Sequence, residues 1–121
     1  MKPEIELQWQ KGRDGWIPLD RLNIQSKFLN DVFGIYILWA GNDIVKIGKG
    51  KIRDGLIKDK TNKEITGQDG LMVTWCEVQP DKLDNILRYL TSKLKPSIAD
   101  GPLIVSGLET SVNEPWHENF I

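Results

Sequence analysis

Seven cations crowd one stretch of this 121-residue chain: Lys46, Lys49, Lys51, Arg53, Lys58, Lys60 and Lys63. Against them stand Asp54, Asp59 and Glu64, which leaves a local excess of +4. Affinity for a phosphate backbone comes largely from Lys and Arg, so a segment of this kind suits a nucleic-acid ligand. A solvated helix face has the same composition, and both readings fit. Gly48 and Gly50, within the segment, suit a phosphate-cradling loop or ordinary turn geometry. Tyr36, ten residues upstream of Lys46, fits an inward or rim aromatic of a strand or a site residue.

Other chemistries are closed off. Cys76 is the only cysteine and His117 the only histidine. No intrachain disulfide, Cys-based metal site or multi-histidine zinc site is therefore expected, and His117 reads as a surface residue. Net charge is −1 and pI about 5.8, so the chain lacks the global basic excess of a dedicated nucleic-acid binder. A role of that kind must rest on the local patch. Residues 1–10 are charged and lack the apolar core of a signal peptide, and no run reaches the length of a membrane span. The expectation is a cytoplasmic protein without membrane partners. Five Trp in so short a chain point first to core packing and second to a surface that grips a partner.

The elements that would position these residues follow from periodicity. Glu4 to Gln10 alternates polar and apolar residues, as a half-buried strand does. After the turn Lys11 to Gly15, Trp16 to Leu19 reads as its hairpin partner. Residues 20–31 fit a short helix or a loop, with Leu22, Ile24, Phe28 and Leu29 available for the core. Gly34 to Ala40 is a nearly continuous apolar and β-branched run, hence a buried strand. Gly41-Asn42-Asp43 suits a tight turn, and Ile44 to Gly48 is the antiparallel return. Ile52, Leu56 and Ile57 predict a helix over about 51–60, although an interior Gly55 costs about 1 kcal/mol relative to Ala. Leu71 to Val78 forms a third central strand. Pro80-Asp81 opens a long helix whose stripe of Leu83, Ile86, Leu87, Leu90 and Leu94 faces the sheet, and Pro96 ends it. The tail 97–121 is rich in Gly, Pro, Ser and Asn, with Ile104, Val105, Val112 and Trp116 as anchors. The expected fold is α/β in the α+β sense: one domain over 1–121 with its core at about 16–96. In it a small antiparallel three-stranded sheet is flanked by helices and preceded by an N-terminal hairpin.

With Gly34-Ile35-Tyr36 opening the first strand and Lys46-Ile47-Gly48 on its partner, this order resembles the GIY-YIG nuclease family. Val73-Thr74-Trp75, Arg88-Tyr89-Leu90, Leu94-Lys95-Pro96 and Asn113-Glu114-Pro115-Trp116 are similar to the later elements of a bacterial branch. The resemblance runs from about Trp16 to Trp116. It implies a metal-dependent endonuclease ancestry, in which a helix glutamate holds one divalent cation, a helix arginine steadies the phosphate and a motif tyrosine helps activate the nucleophile.

Carried over by position, Tyr36 matches the first motif tyrosine, and Lys46 replaces the second. The family arginine falls on Gly55, with Arg53 two residues earlier and about 200° around the helix. The aromatic or imidazole residue that often follows falls near Asp59 and Lys60. The metal-binding glutamate falls on Leu87, which cannot ligate a hard cation. The remnant site is Tyr36, Lys46 and Arg53, with no metal or other cofactor expected.

The first functional expectation is a catalytically degenerate module that binds nucleic acid, DNA in the first instance, through Lys46, Lys49, Lys51, Arg53, Lys58 and Lys60. The second is an endonuclease that uses Mg²⁺ or Mn²⁺ with displaced ligands. The third is a protein-interaction module whose surface Trp residues contact a protein partner.

Overall fold

The computed structural model describes residues 6–12, 15–98, 112 and 115. It has a mixed architecture, a four-stranded antiparallel sheet with helices on both faces. The strands are β1 (Ile17–Pro18), β2 (Phe33–Ala40), β3 (Asp43–Lys51) and β4 (Leu71–Glu77). They lie in the order β1-β4-β2-β3. The helices are α1 (Ile52–Lys60), the short α2 (Lys63–Thr66) and α3 (Leu83–Leu94).

The β2–β3 hairpin forms where the apolar run predicts it. Gly41, at φ +61°, starts a two-residue turn between the paired Ala40 and Asp43. Only a residue without a Cβ takes that conformation cheaply, and its twist matches the flanking strands. Strand β3 runs further than its apolar stretch. It keeps pairing through Lys49, Gly50 and Lys51, opposite Ile35, Gly34 and Phe33. Gly48 and Gly50 are thus strand residues and do not form a phosphate-cradling loop. As an edge strand, β3 can carry solvent-facing lysines at no cost to the core.

Two corrections concern the N-terminal half. The sheet has four strands instead of three, because Ile17 and Pro18 pair with Val73 and Met72 of β4. Pro18 has no N–H to donate, which suits it to this outer position. The N-terminal hairpin does not form as expected: Gly12 and Gly15 bridge across the turn, but 6–11 is irregular. That segment instead lies beside β4, where the Gln10 amide donates to the Trp75 carbonyl at 2.9 Å. Residues 4 and 5 of the expected strand lie outside the described residues.

Two cores sandwich the sheet. On one face Tyr36, Leu38, Val45, Val73 and Trp75 pack under Ile52 and Leu56 of α1 and Ile65 of α2. On the other, Ile35, Ile37, Trp39, Ile47 and Cys76 pack under Leu83, Ile86 and Leu90 of α3. The alternation along β2 follows from the two-residue period of a strand. Burial removes about 1.5–3 kcal/mol of unfavourable hydration for each such large apolar side chain.

Helix α3 carries its expected stripe, with Leu83, Ile86 and Leu90 buried and Leu87 and Leu94 half-buried against the same core. Its C-cap, Lys95, is left-handed at φ 49°, and Pro96 follows. Beyond it, the Ser97 and Ile98 amides donate to the Ile44 and Val45 carbonyls, both at 2.9 Å. Ile98 thereby bridges the outer edge of β3 in parallel with Lys46. Of the expected tail anchors, Val112 is buried on the α3 side; Ile104, Val105 and Trp116 lie outside the described residues. Residues 20–31 form a loop with single 3-10 turns at Leu19–Arg21 and Lys27–Leu29. Ile24 and Leu29 enter the core, whereas Phe28 is 79% exposed. Among the described residues no helix is long and apolar enough to cross a membrane.

Candidate functional site

The sheet register brings Tyr36 and Lys46 together. Tyr36 faces Gly48 across the hairpin, and Leu38 faces Lys46. Directly opposed residues share a face, so Tyr36 and Lys46 are diagonal neighbours within side-chain reach. The register shifts between Leu38 and Trp39, a bulge that takes up the extra residue Val45 and lets the lysine keep its place under α1.

Helix α1 supplies the third member. Ile52, Leu56 and Asp59 are its buried residues, spaced i, i+4, i+7 along one face. A carboxylate on an otherwise apolar stripe must find partners, since an uncompensated buried charge is costly. Asp59, 2% exposed, has two. The Tyr36 hydroxyl donates to Oδ2, and Lys46 Nζ donates to Oδ1 at 2.6 Å. Tyr36 is 2% and Lys46 8% exposed, so the whole triad is inside the protein. No buried side-chain nitrogen or oxygen among the described residues lacks a partner.

Two glycines make room for this arrangement. A Cβ on Gly48 would overlap Cζ, Cε2 and Oη of the Tyr36 ring. A Cβ on Gly55 would stand 2.7 Å from Tyr36 Cε2 and 3.0 Å from its Oη. The ring is held between strand β3 below and helix α1 above, in a slot that only glycine on both sides leaves open. Gly55 occupies the position at which the family resemblance places an arginine. In this fold its local role is close approach.

Arg53 is not part of the triad. Its Nε donates to the Ile24 carbonyl at 2.8 Å and its Nη2 to the Ser26 carbonyl at 2.6 Å, so it fastens the 24–26 loop to the start of α1. Leu87 lies on α3, with the sheet between it and Tyr36. Among the described residues no three His, Cys, Asp or Glu side chains assemble as a metal site.

The six expected nucleic-acid contacts separate into groups. Lys46 is interior. Lys49 is exposed and donates to Asp84, whose carboxyl it holds below the usual range through that hydrogen bond and its charge. Lys51, Lys58 and Lys60 are exposed, as is Lys63, and Arg53 is half-exposed. With Lys46 matched by Asp59 and Lys49 by Asp84, the segment presents Lys51, Arg53, Lys58, Lys60 and Lys63 against Asp54 and Glu64. The excess at the surface is three, smaller than the sequence alone indicates.

Chemically, the interior triad is a satisfied hydrogen-bonded ion pair, and a substrate phosphate would reach Tyr36 or Lys46 only if α1 moved. Asp59 is the residue that sequence reasoning missed, although its place on the Ile52–Leu56 stripe marked it. The described Trp residues divide evenly: Trp39 and Trp75 are buried, while Trp9 and Trp16 are half-buried. Trp16 packs edge-on against Trp39 at 5.4 Å and lies under Lys11 Nζ at 4.4 Å. No family model matches this chain, and no curated protein or solved structure matches it either.

Proposed function

We propose that this chain is a GIY-YIG-like module that does not cut nucleic acid but binds it, through the exposed cations at the end of β3 and along α1. The observation that carries the reading is the surface excess of three positive charges at Lys51, Arg53, Lys58, Lys60 and Lys63. The order of hairpin, helix, strand and long helix agrees with the resemblance. The absence of cutting is supported by the interior position of Tyr36 and Lys46, both bonded to Asp59. A general base or acid has to reach the reacting group within hydrogen-bond distance.

Counterion release fixes the expected signature. A patch engaging about three phosphates gives a slope of log K against log salt near −2.7 on duplex DNA and near −2 on single strands. Titrations of labelled DNA and RNA across a range of ionic strength measure it. Absence of binding at low salt would remove the proposal.

A second reading, a divalent-metal-dependent endonuclease, draws support from one observation: Tyr36 and Lys46 do come together. It expects cleavage with Mg²⁺ or Mn²⁺ that disappears with EDTA and in Tyr36→Phe. Tag-free protein that leaves DNA intact under those conditions excludes it.

A further inference from the structure

The α1 face of the sheet ends in a cleft of about 690 Å³, separate from the buried triad. One wall is the irregular 6–11 segment and the other the turn from Ser26 to Val32; Trp75 and Leu29 contribute its apolar lining. Phe28, which also lines the cleft, is 79% exposed. The Ser26 Oγ accepts the Phe28 amide at 3.2 Å, so the aromatic sits on a pinned turn.

One cation adjoins this rim. Arg53 donates to the Ser26 carbonyl at 2.6 Å. The Ile52 amide donates to the Val32 carbonyl at 3.1 Å, which ties the start of α1 to the same wall; Lys51, paired with Phe33, belongs to the α3 face of the sheet. The opposite side is lined by Gln8, Gln10 and Glu77, amide and carboxylate groups suited to the edge of a heteroaromatic ring. Their charge balance orients a ligand. Glu6 and Glu77, with Lys11 alone to offset them, disfavour a phosphate in the cleft, whereas Arg53 at its rim favours one outside it. The volume lies in the range that accommodates a small ring system.

We propose that this cleft receives an unpaired nucleobase, stacked on Phe28, while the adjoining phosphate lies against Arg53 at the start of α1. The ligand class is therefore single-stranded nucleic acid, because a base paired and stacked in a duplex offers neither its ring face nor its Watson–Crick edge. The inference rests on the nucleic-acid reading above. Stacking platforms beside a cationic track are the general means by which proteins hold single strands without strict sequence preference.

The test compares three labelled DNA probes of about 12 nucleotides: a single strand, its duplex and the same strand made abasic at every position. The abasic strand keeps its phosphates and loses only the rings. Wild-type protein is expected to bind the normal strand about tenfold more tightly than the abasic one. Phe28→Ala, at an exposed position that the core does not use, is expected to lose that preference while keeping its affinity for the abasic strand. Equal binding of normal and abasic strands by wild-type protein would overturn the cleft proposal and leave the charge-based reading standing. So would an unchanged preference in Phe28→Ala. Loss of binding to all three probes at low salt would overturn both.

Discussion

The Tyr36 hydroxyl and the Asp59 carboxylate meet inside the protein from positions 23 residues apart, and Lys46 completes the group from the neighbouring strand. Removing one charge of such a pair leaves the other buried without compensation, which costs about 3–5 kcal/mol. Replacing both with apolar groups avoids that penalty. Asp59→Ala is therefore expected to lose several kcal/mol, and Lys46→Met with Asp59→Leu considerably less than the sum of its single changes. Chemical denaturation of Lys46→Met, Asp59→Leu and their combination measures the coupling, and additive losses would contradict it. Tyr36→Phe, which removes one hydrogen bond to a charged acceptor, is expected to cost about 1.5–3 kcal/mol.

Gly55 permits a test in which two effects have opposite sign. In an exposed helix, Gly→Ala stabilises by about 1 kcal/mol. Here the added Cβ would meet the Tyr36 ring at 2.7 Å, and overpacking of that kind costs about 1–3 kcal/mol. Steric conflict wins, so Gly55→Ala lowers stability, and combining it with Tyr36→Leu recovers part of the loss. A stabilised single mutant would refute the slot. By the same geometry, Gly55→Arg with Leu87→Glu is expected to disrupt packing without creating a nuclease, since Leu87 lies across the sheet from Tyr36.

Cys76 is fully buried in the α3 core. Desolvation pushes its thiol up to about 12, partly offset by a backbone hydrogen bond at Ile35. The thiolate is the reactive species, so native protein at pH 8 should resist thiol-specific reagents until it unfolds. The linkage sign is also fixed. From about pH 9 the unfolded thiol loses its proton and the native one keeps it, so the unfolded state binds fewer protons and stability falls with rising pH. The loss approaches about 1.4 kcal/mol per unit until the native thiol titrates. Denaturation midpoints across that alkaline window, compared with Cys76→Ala, isolate the contribution.

Asp84 is exposed on α3, and its carboxyl is held below the ordinary range by Lys49. Asp84→Asn releases that lysine and raises the surface excess from three to four. Affinity for nucleic acid at low salt should rise a few-fold, and the salt slope should steepen by about one unit. An unchanged slope would place Lys49 outside the interface.

How far the sequence foretold this arrangement depended on how each residue signals. Long apolar runs and a regular stripe placed β2, β3, β4 and α3, because burial on a sheet face imposes period two and burial of a helix stripe imposes steps of three and four. The short strand read at Trp16 to Leu19 holds β1, but its pairing with β4 was not legible, and α2 has four residues, too few for any period to register. Phe28 was available to the core by type, yet the turn pinned by Ser26 directs it outward. Gly55 looked like a weakness in α1 because its reason lies in a tyrosine nineteen residues earlier, across a tertiary contact. The pairing of Tyr36 with Lys46 was readable from the hairpin, but the partner that binds both was not assigned. Asp59 reads as one more surface acid until its place beside Ile52 and Leu56 is counted.

The amides of Ser97 and Ile98 on the outer rim of β3, and of Gln10 beside β4, govern how this molecule tolerates crowding by its own copies. A bare strand rim offers a row of unsatisfied peptide groups to any neighbour. Here Ser97 and Ile98 cover part of the β3 rim, and Gln10 covers β4 beyond the two residues of β1. A chain shortened to end at Lys95 loses that protection on the β3 side, and its first symptom would be self-association at rising concentration.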